Sequence, residues 1–155
     1  MDNIETAYKY MNLAIEEARL AAESNEKDVP VGCIIVDKEG NIIGKGRNTR
    51  CLGGSVLGHA EINAMEEARK NTGSYLLEDT VMFVTLEPCP MCAGAIAASR
   101  IPRLFYGADN TENGACGSVY NLLYPHTEVF GGIKAEECSS LLKDFFKNLR
   151  KKTEQ

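Results

Sequence analysis

The stretch from Val81 to Tyr106 constrains the fold most. Val81 to Leu86 is an apolar run of strand length, and Pro88 and Pro90 follow it directly. A proline in the first turn of a helix gives up no helical hydrogen bond, so both sit where a helix can open. The small, apolar run Ala93 to Ala98 supplies that helix, Pro102 ends it, and Leu104 to Tyr106 reads as a returning strand. Strand, helix and strand with links this short form a right-handed crossover between parallel strands. Parallel strands need cover on both faces, so the unit predicts an α/β architecture with more helices elsewhere.

The rest of the chain supplies them. Ile4, Tyr8, Met11, Ile15 and Ala18 recur at helical spacing and predict an opening amphipathic helix. Val31 to Val36 and Ile42 to Gly46, joined through Gly40-Asn41, read as an antiparallel hairpin. Polar, glycine-rich sequence follows from Arg47 to Gly58. Ala60, Ala64, Met65 and Ala68 mark a second helix that ends near Asn71-Thr72-Gly73. Asn110 to Gly117 reads as a loop. A last helix is expected over about Ala135 to Arg150, with Cys138, Leu141, Leu142, Phe145 and Leu149 on one face. The sheet should therefore be mixed, starting as a hairpin and continuing parallel.

With 44% hydrophobic and 25% charged residues, the chain can build a real core. No repeat or linker divides it, so a single domain over residues 1–155 is expected. The uncharged stretch Pro88 to Ser99 is too short to cross a bilayer. Met1-Asp2-Asn3-Ile4-Glu5 lacks the basic start and apolar run of a secretory signal, which points to a cytoplasmic setting without membrane contact. Seventeen basic and 22 acidic residues leave a net charge of −5, which disfavours coating nucleic acid by global attraction but leaves room for a local basic patch.

Of six cysteines, Cys33, Cys51, Cys116 and Cys138 are scattered, whereas Cys89 and Cys92 form a Cys-x-x-Cys pair. In a first helical turn, residues three apart face one side. Thiolates there gain from the exposed N–H groups and the helix dipole. Upstream, His59-Ala60-Glu61 also opens a helix. Two thiolates and an imidazole make three ligands for Zn²⁺, leaving one tetrahedral position for water, as in catalytic rather than structural zinc sites. No further cysteine or histidine at motif spacing closes that position. Glu61 is then placed to carry a proton from the water to a leaving group. Taken singly, a Cys-x-x-Cys can be a redox pair or half a zinc finger, and a His-x-Glu is often structural. In this order, with a strand and a helix between them, the two motifs point to zinc hydrolysis.

The ordered pattern His-x-Glu…Pro-Cys-x-x-Cys is also the mark of zinc nucleobase deaminases. On these residues, with Asp28-Val29-Pro30-Val31-Gly32, Gly46-Arg47-Asn48, Val84 to Ala95, Ser99 to Arg103, Tyr106 to Asp109, Gly114 to Ser118 and Asp144 to Arg150, the chain resembles the cytidine deaminase-like superfamily. Within it, the chain is most similar to bacterial tRNA adenosine deaminases. The motifs up to Gly94 are shared with guanine and cytosine deaminases, and the last three stretches are closer to the tRNA enzymes. The resemblance implies a three-layer α/β/α fold with a mixed five-stranded sheet. It implies one zinc per subunit on His59, Cys89 and Cys92, with Glu61 catalytic. It also implies that the backbone at Ala60 and Leu86, the Asn48 amide, the Val31 wall and Asp109 contact the substrate. The implied reaction replaces the exocyclic amine at C6 of adenine with oxygen, at the wobble position of a tRNA anticodon loop, in a homodimer.

Two departures from that pattern motivate an alternative substrate, a free base or nucleoside such as guanine or cytosine. Ser55-Val56-Leu57-Gly58 stands where the tRNA enzymes usually have Asp-Pro-Thr-Ala, and the stretch from Leu123 to Gly131 is short and lacks an Asn before His126. A third class, a zinc-stabilised interaction module without catalysis, is disfavoured by Glu61 and the open fourth position. Lys143, Lys147 and Arg150 form a basic stripe on the last helix, with Lys151 and Lys152 beside it. This stripe, together with Arg47, Arg50, Arg100 and Arg103, offers phosphate contacts.

Overall fold

The computed structural model describes residues 3–153. The chain opens with helix α1 (Ile4–Ser24), whose N-terminus is capped by the Asn3 side chain accepting from Thr6 N–H at 2.8 Å. The hairpin strands β1 (Gly32–Val36) and β2 (Ile42–Arg47) pair antiparallel. Their turn is held by the Asp37 carboxylate, which accepts from the N–H groups of Glu39 and Asn41, and Gly40 takes a φ of 86°. A short helix α2 (Arg50–Gly53), helix α3 (Ala60–Thr72), strand β3 (Val81–Leu86), helix α4 (Pro90–Ala98) and strand β4 (Arg103–Ala108) follow. Strand β5 (Glu128–Phe130) and helix α5 (Ala135–Thr153) complete the described chain.

The sheet runs β2-β1-β3-β4-β5, with β1 antiparallel to both its neighbours and β3, β4 and β5 parallel. It is the expected mixed five-stranded sheet. Alternation along the strands splits the core in two. Cys33, Ile35, Met82, Val84 and Leu104 point to the side covered by α3 and α4. Ile34, Val36, Val81 and Phe83 point to the side covered by α1 and α5. On the latter side Tyr10, Phe83, Phe105 and Phe130 form a row of rings with centroids 5.1, 5.0 and 4.8 Å apart, linking α1 to β5. Each such pair adds about 0.5–1.5 kcal/mol beyond its buried area.

One close approach positions the functional residues. A Cβ on Gly44 would lie 2.3 Å from the Ala64 carbonyl oxygen, and one on Gly46 would lie 2.0 Å from that of Ala60. The two glycines let α3 rest its backbone on β2, which sets where His59 and Glu61 stand relative to the sheet.

Helix α4 begins at Pro90, one of the two prolines expected to open it, with Cys89 as its N-cap and Cys92 in its first turn. Several boundaries differ from the sequence expectation. The stretch after Arg47 contains α2, and α5 continues to Thr153. Ile4, Tyr8 and Leu149 are exposed, because α1 turns its alanine-lined side (Ala7, Ala14, Ala18 and Ala21) to the sheet and α5 buries chiefly Cys138 and Phe145. No helix among the described residues is long and apolar enough to cross a membrane.

Candidate metal centre

His59 is the N-cap of α3 and Cys89 the N-cap of α4, both with extended backbone and neither bonding its side chain to its own helix. Their side chains are thereby free to face each other between two helix N-termini. His59 Nδ1 lies 3.6 Å from Cys89 Sγ and 3.5 Å from Cys92 Sγ. All three donor atoms lie within 4.8 Å of one another. Bond lengths of about 2.3 Å to sulfur and 2.05 Å to nitrogen at a tetrahedral centre give an N···S edge of about 3.6 Å. The donor set fits zinc in kind and in spacing, and it identifies Nδ1 as the ligating nitrogen.

The electrostatics favour thiolate at Cys89. The Cys92 thiol donates to Cys89 and, outweighing the effect of burial, helps pull Cys89 down to about 4; the His59 ring contributes next. Cys92 is raised by that same bond and by burial. His59 is raised, first through its contact with Cys89. Glu61 is 4% exposed, and burial lifts its carboxyl to about 7. A group in that range both takes and gives a proton at neutral pH.

A cavity of about 330 Å³ opens over these residues. Val29, Val31 and Leu86 supply an apolar wall, while Asn48, Asn110 and Asn113 supply neutral amides. Exposed Lys27, Arg50 and Cys51 form its rim. Of the residues singled out in the sequence, His59, Ala60, Glu61, Cys89, Val31, Asn48 and Leu86 line it, and Cys92 stands behind as the third donor. Asp109 does not line it. Its carboxylate instead accepts from the Tyr106 hydroxyl at 3.0 Å, and the next residue, Asn110, takes the wall position.

Two lining carboxylates were given no role by the sequence. Asp28, 1% exposed, accepts from the backbone N–H groups of Cys51 and Leu52 at 2.7 and 3.0 Å. Glu87, also 1% exposed, accepts from the N–H groups of Asn110, Cys116 and Ser118 and from the Ser118 hydroxyl. Burial would raise Glu87, but these bonds outweigh it and hold the carboxyl below its ordinary range. Both stand inside the stretches that carry the family resemblance, but the sequence gives neither a role, since their partners lie 23 to 31 positions away.

A family model of the cytidine and deoxycytidylate deaminase zinc-binding region matches residues 4–108. The chain belongs to this deaminase family. The deaminase is 42% identical over 148 residues to the tRNA-specific adenosine deaminase of Bacillus subtilis, covering 92% of this chain and 90% of that one. A solved structure from a study of A-to-I editing by tRNA:A34 deaminases superposes with a TM-score of 0.81 at 35% identity, covering 86% of this chain and 99% of that one. The guanine deaminase of Bacillus subtilis gives a TM-score of 0.64 at 33% identity, covering 70% and 68%.

The deaminase carries neither sequence departure into its cavity. Ser55 to Gly58 closes on itself, with Gly58 N–H donating to the Ser55 carbonyl and Thr49 N–H to that of Gly58, and none of the four lines the cavity. His126 is exposed and lines it no more than they do. Among the candidate cations, Arg50 alone of Arg47, Arg50, Arg100 and Arg103 reaches the cavity. Arg100 pairs with Glu78, Arg103 with Glu128 and Lys152 with Glu26. Lys143, Lys147 and Arg150 stand exposed on α5.

Proposed function

We propose that this protein is a zinc-dependent aminohydrolase acting on tRNA, converting adenosine at wobble position 34 of an anticodon loop to inosine. The observation that carries the reading is the tetrahedral edge formed by His59, Cys89 and Cys92 with Glu61 beside it, at the floor of a cavity sized for one base and rimmed by cations. When bound, zinc supplies Lewis-acid activation of water at neutral pH. Glu61 accepts one proton from the attacking water and passes it to ring nitrogen N1, then takes the second proton from the same oxygen and delivers it to the amine, which leaves as ammonia as the C6–oxygen double bond forms. Adenosine and water thus become inosine and ammonia, with no redox change.

The remaining roles follow from placement. Asn48 donates through Nδ2 to the Val29 carbonyl and accepts at Oδ1 from Arg50 N–H, which leaves one N–H and one lone pair for the edge of a base. Val31 and Leu86 pack against its face, and backbone groups at Ala60 and Leu86 hold its polar edge. Arg50 and Lys27 meet flanking phosphates. An unpaired loop nucleotide enters such a cavity at less cost than one in a duplex. Asp109, bonded to Tyr106 outside the cavity, reaches RNA only beyond the base.

The named relatives support tRNA over a free base. Both comparison enzymes exist in Bacillus subtilis, and this chain shares more identity over more of its length with the tRNA-specific one. We further propose that the chain works as a single catalytic domain, in the cytoplasm and as a homodimer. Incubation with an anticodon stem-loop, in parallel with free adenine, guanine and cytosine, tests the substrate. Inosine in the RNA is expected; turnover confined to free bases overturns the reading. Light scattering at twice the chain mass is expected, and a monomer mass refutes the dimer.

A further inference from the structure

The cavity rim is built from two segments far apart in sequence, 27–31 and 47–52, and the buried Asp28 carboxylate joins their outer ends, beside a Cys51 Sγ contact to the Lys27 carbonyl at 3.6 Å. Asn25 turns the chain after α1, its side chain accepting from Lys27 N–H and its carbonyl from Asp28 N–H. This delivers the Asp28 carboxylate beneath α2, whose N-cap, Thr49, makes no side-chain cap of its own. Both Asp28 oxygens are used, one by Cys51 N–H and one by Leu52 N–H. At the inner end, Asn48 N–H donates to the Val31 carbonyl and the Asn48 amide to that of Val29. Asn48 and Arg50 therefore face the cavity because the loop carrying them is fastened at both ends to the segment that carries Val29 and Val31.

We infer that Asp28 is a positioning residue for substrate binding, holding Asn48 and Arg50 at the cavity rim through the backbone of α2. The inference rests on the tRNA deaminase reading for what is bound. Asp28 makes no hydrogen bond to the metal triad or to Glu61. Its loss should weaken ground state and transition state alike, which raises KM and spares kcat. A carboxylate that served only to stabilise the fold would, when lost, lower the fraction of active enzyme, so kcat would fall and KM would not move.

Asp28→Asn tests this with the shape retained. The amide nitrogen meets one of the two N–H donors it cannot accept from. The expected result on an anticodon stem-loop is a KM at least tenfold higher, with kcat within threefold of wild type and zinc still stoichiometric. Backbone amide exchange at Cys51 and Leu52 should quicken at least tenfold, while exchange in α3 stays unchanged. An unchanged KM with active wild-type enzyme, or a fall in kcat that tracks lost zinc, overturns the inference. If wild type leaves the stem-loop untouched, the tRNA reading fails on its own, and amide exchange then decides: unchanged rates at Cys51 and Leu52 refute the positioning role.

Discussion

Replacing Glu87 with glutamine exchanges a carboxylate oxygen for an amide nitrogen at a site where every approach is from a donor. One oxygen accepts from Asn110 N–H at 3.1 Å and from the Ser118 hydroxyl; the other accepts from the N–H groups of Cys116 and Ser118 at 3.0 and 3.1 Å. With the new NH₂ on the second side, two backbone donors lose their acceptor. On the first side only Asn110 N–H is orphaned, because the Ser118 hydroxyl can rotate and accept. The variant should adopt that orientation. An unsatisfied buried N–H costs about 1–3 kcal/mol, and the remaining bonds lose their charge assistance, so about 2–4 kcal/mol in total. For a chain of this size that lowers the melting temperature by roughly 4–16 °C. Calorimetry on zinc-loaded Glu87→Gln at neutral pH reads it directly. Because Asn110 lines the cavity, KM on the stem-loop should rise in parallel. A melting temperature within about 2 °C of wild type would refute the reasoning, since it would mean that the 110–118 loop does not hang on this carboxylate.

Other expectations follow from close packing and from burial. Gly46→Ala places a Cβ 2.0 Å from the Ala60 carbonyl oxygen and 2.5 Å from Ala64 N, so α3 must lift from β2 and carry His59 and Glu61 with it. Metal analysis should find substoichiometric zinc and a kcat at least tenfold lower, from overpacking of about 1–3 kcal/mol; full zinc with full kcat would contradict the packing. Burial raises the Cys138 thiol to about 12, whereas an unfolded thiol titrates near 8.5. The native state thus disfavours the thiolate: stability from this group is complete below about pH 8.5 and falls by about 1.4 kcal/mol per pH unit above it until the native thiol titrates. Denaturant titrations should show a shallower alkaline decline for Cys138→Ala than for wild type, and parallel declines would refute it.

The central crossover was legible because its signals are local. Pro88 and Pro90 mark a helix start, Pro102 a stop, and the apolar runs on either side are of strand length. The metal triad was legible for the same reason, since each motif sits at a helix opening and the fold had only to bring two openings together. Strand β5 left no comparable mark. It is three residues long with an exposed-intermediate-exposed pattern, and only the family resemblance supplied a fifth strand. Tyr8 matched the helical period of α1 yet lies exposed, because small alanines on the neighbouring stripe allow a closer approach to the sheet than a larger residue would. Asp28 and Glu87 fall within the resemblance motifs, but their role was unreadable because each answers to backbone N–H groups in a loop, and backbone donors have no residue identity to recognise. The turn after β4 directs Asn110 to the cavity, while the carboxylate of Asp109, expected to contact substrate, accepts from Tyr106 outside it.

The most direct measurement compares wild type with Glu61→Ala on an anticodon stem-loop, with bound zinc quantified in both preparations. Wild type should carry one zinc per chain and convert a single loop adenosine to inosine, read as guanosine after reverse transcription. The variant should retain its zinc on His59, Cys89 and Cys92 and lose roughly 10²–10⁴ in rate, the usual worth of a positioned proton carrier. A variant as active as wild type, or an active wild type without bound metal, would contradict the account.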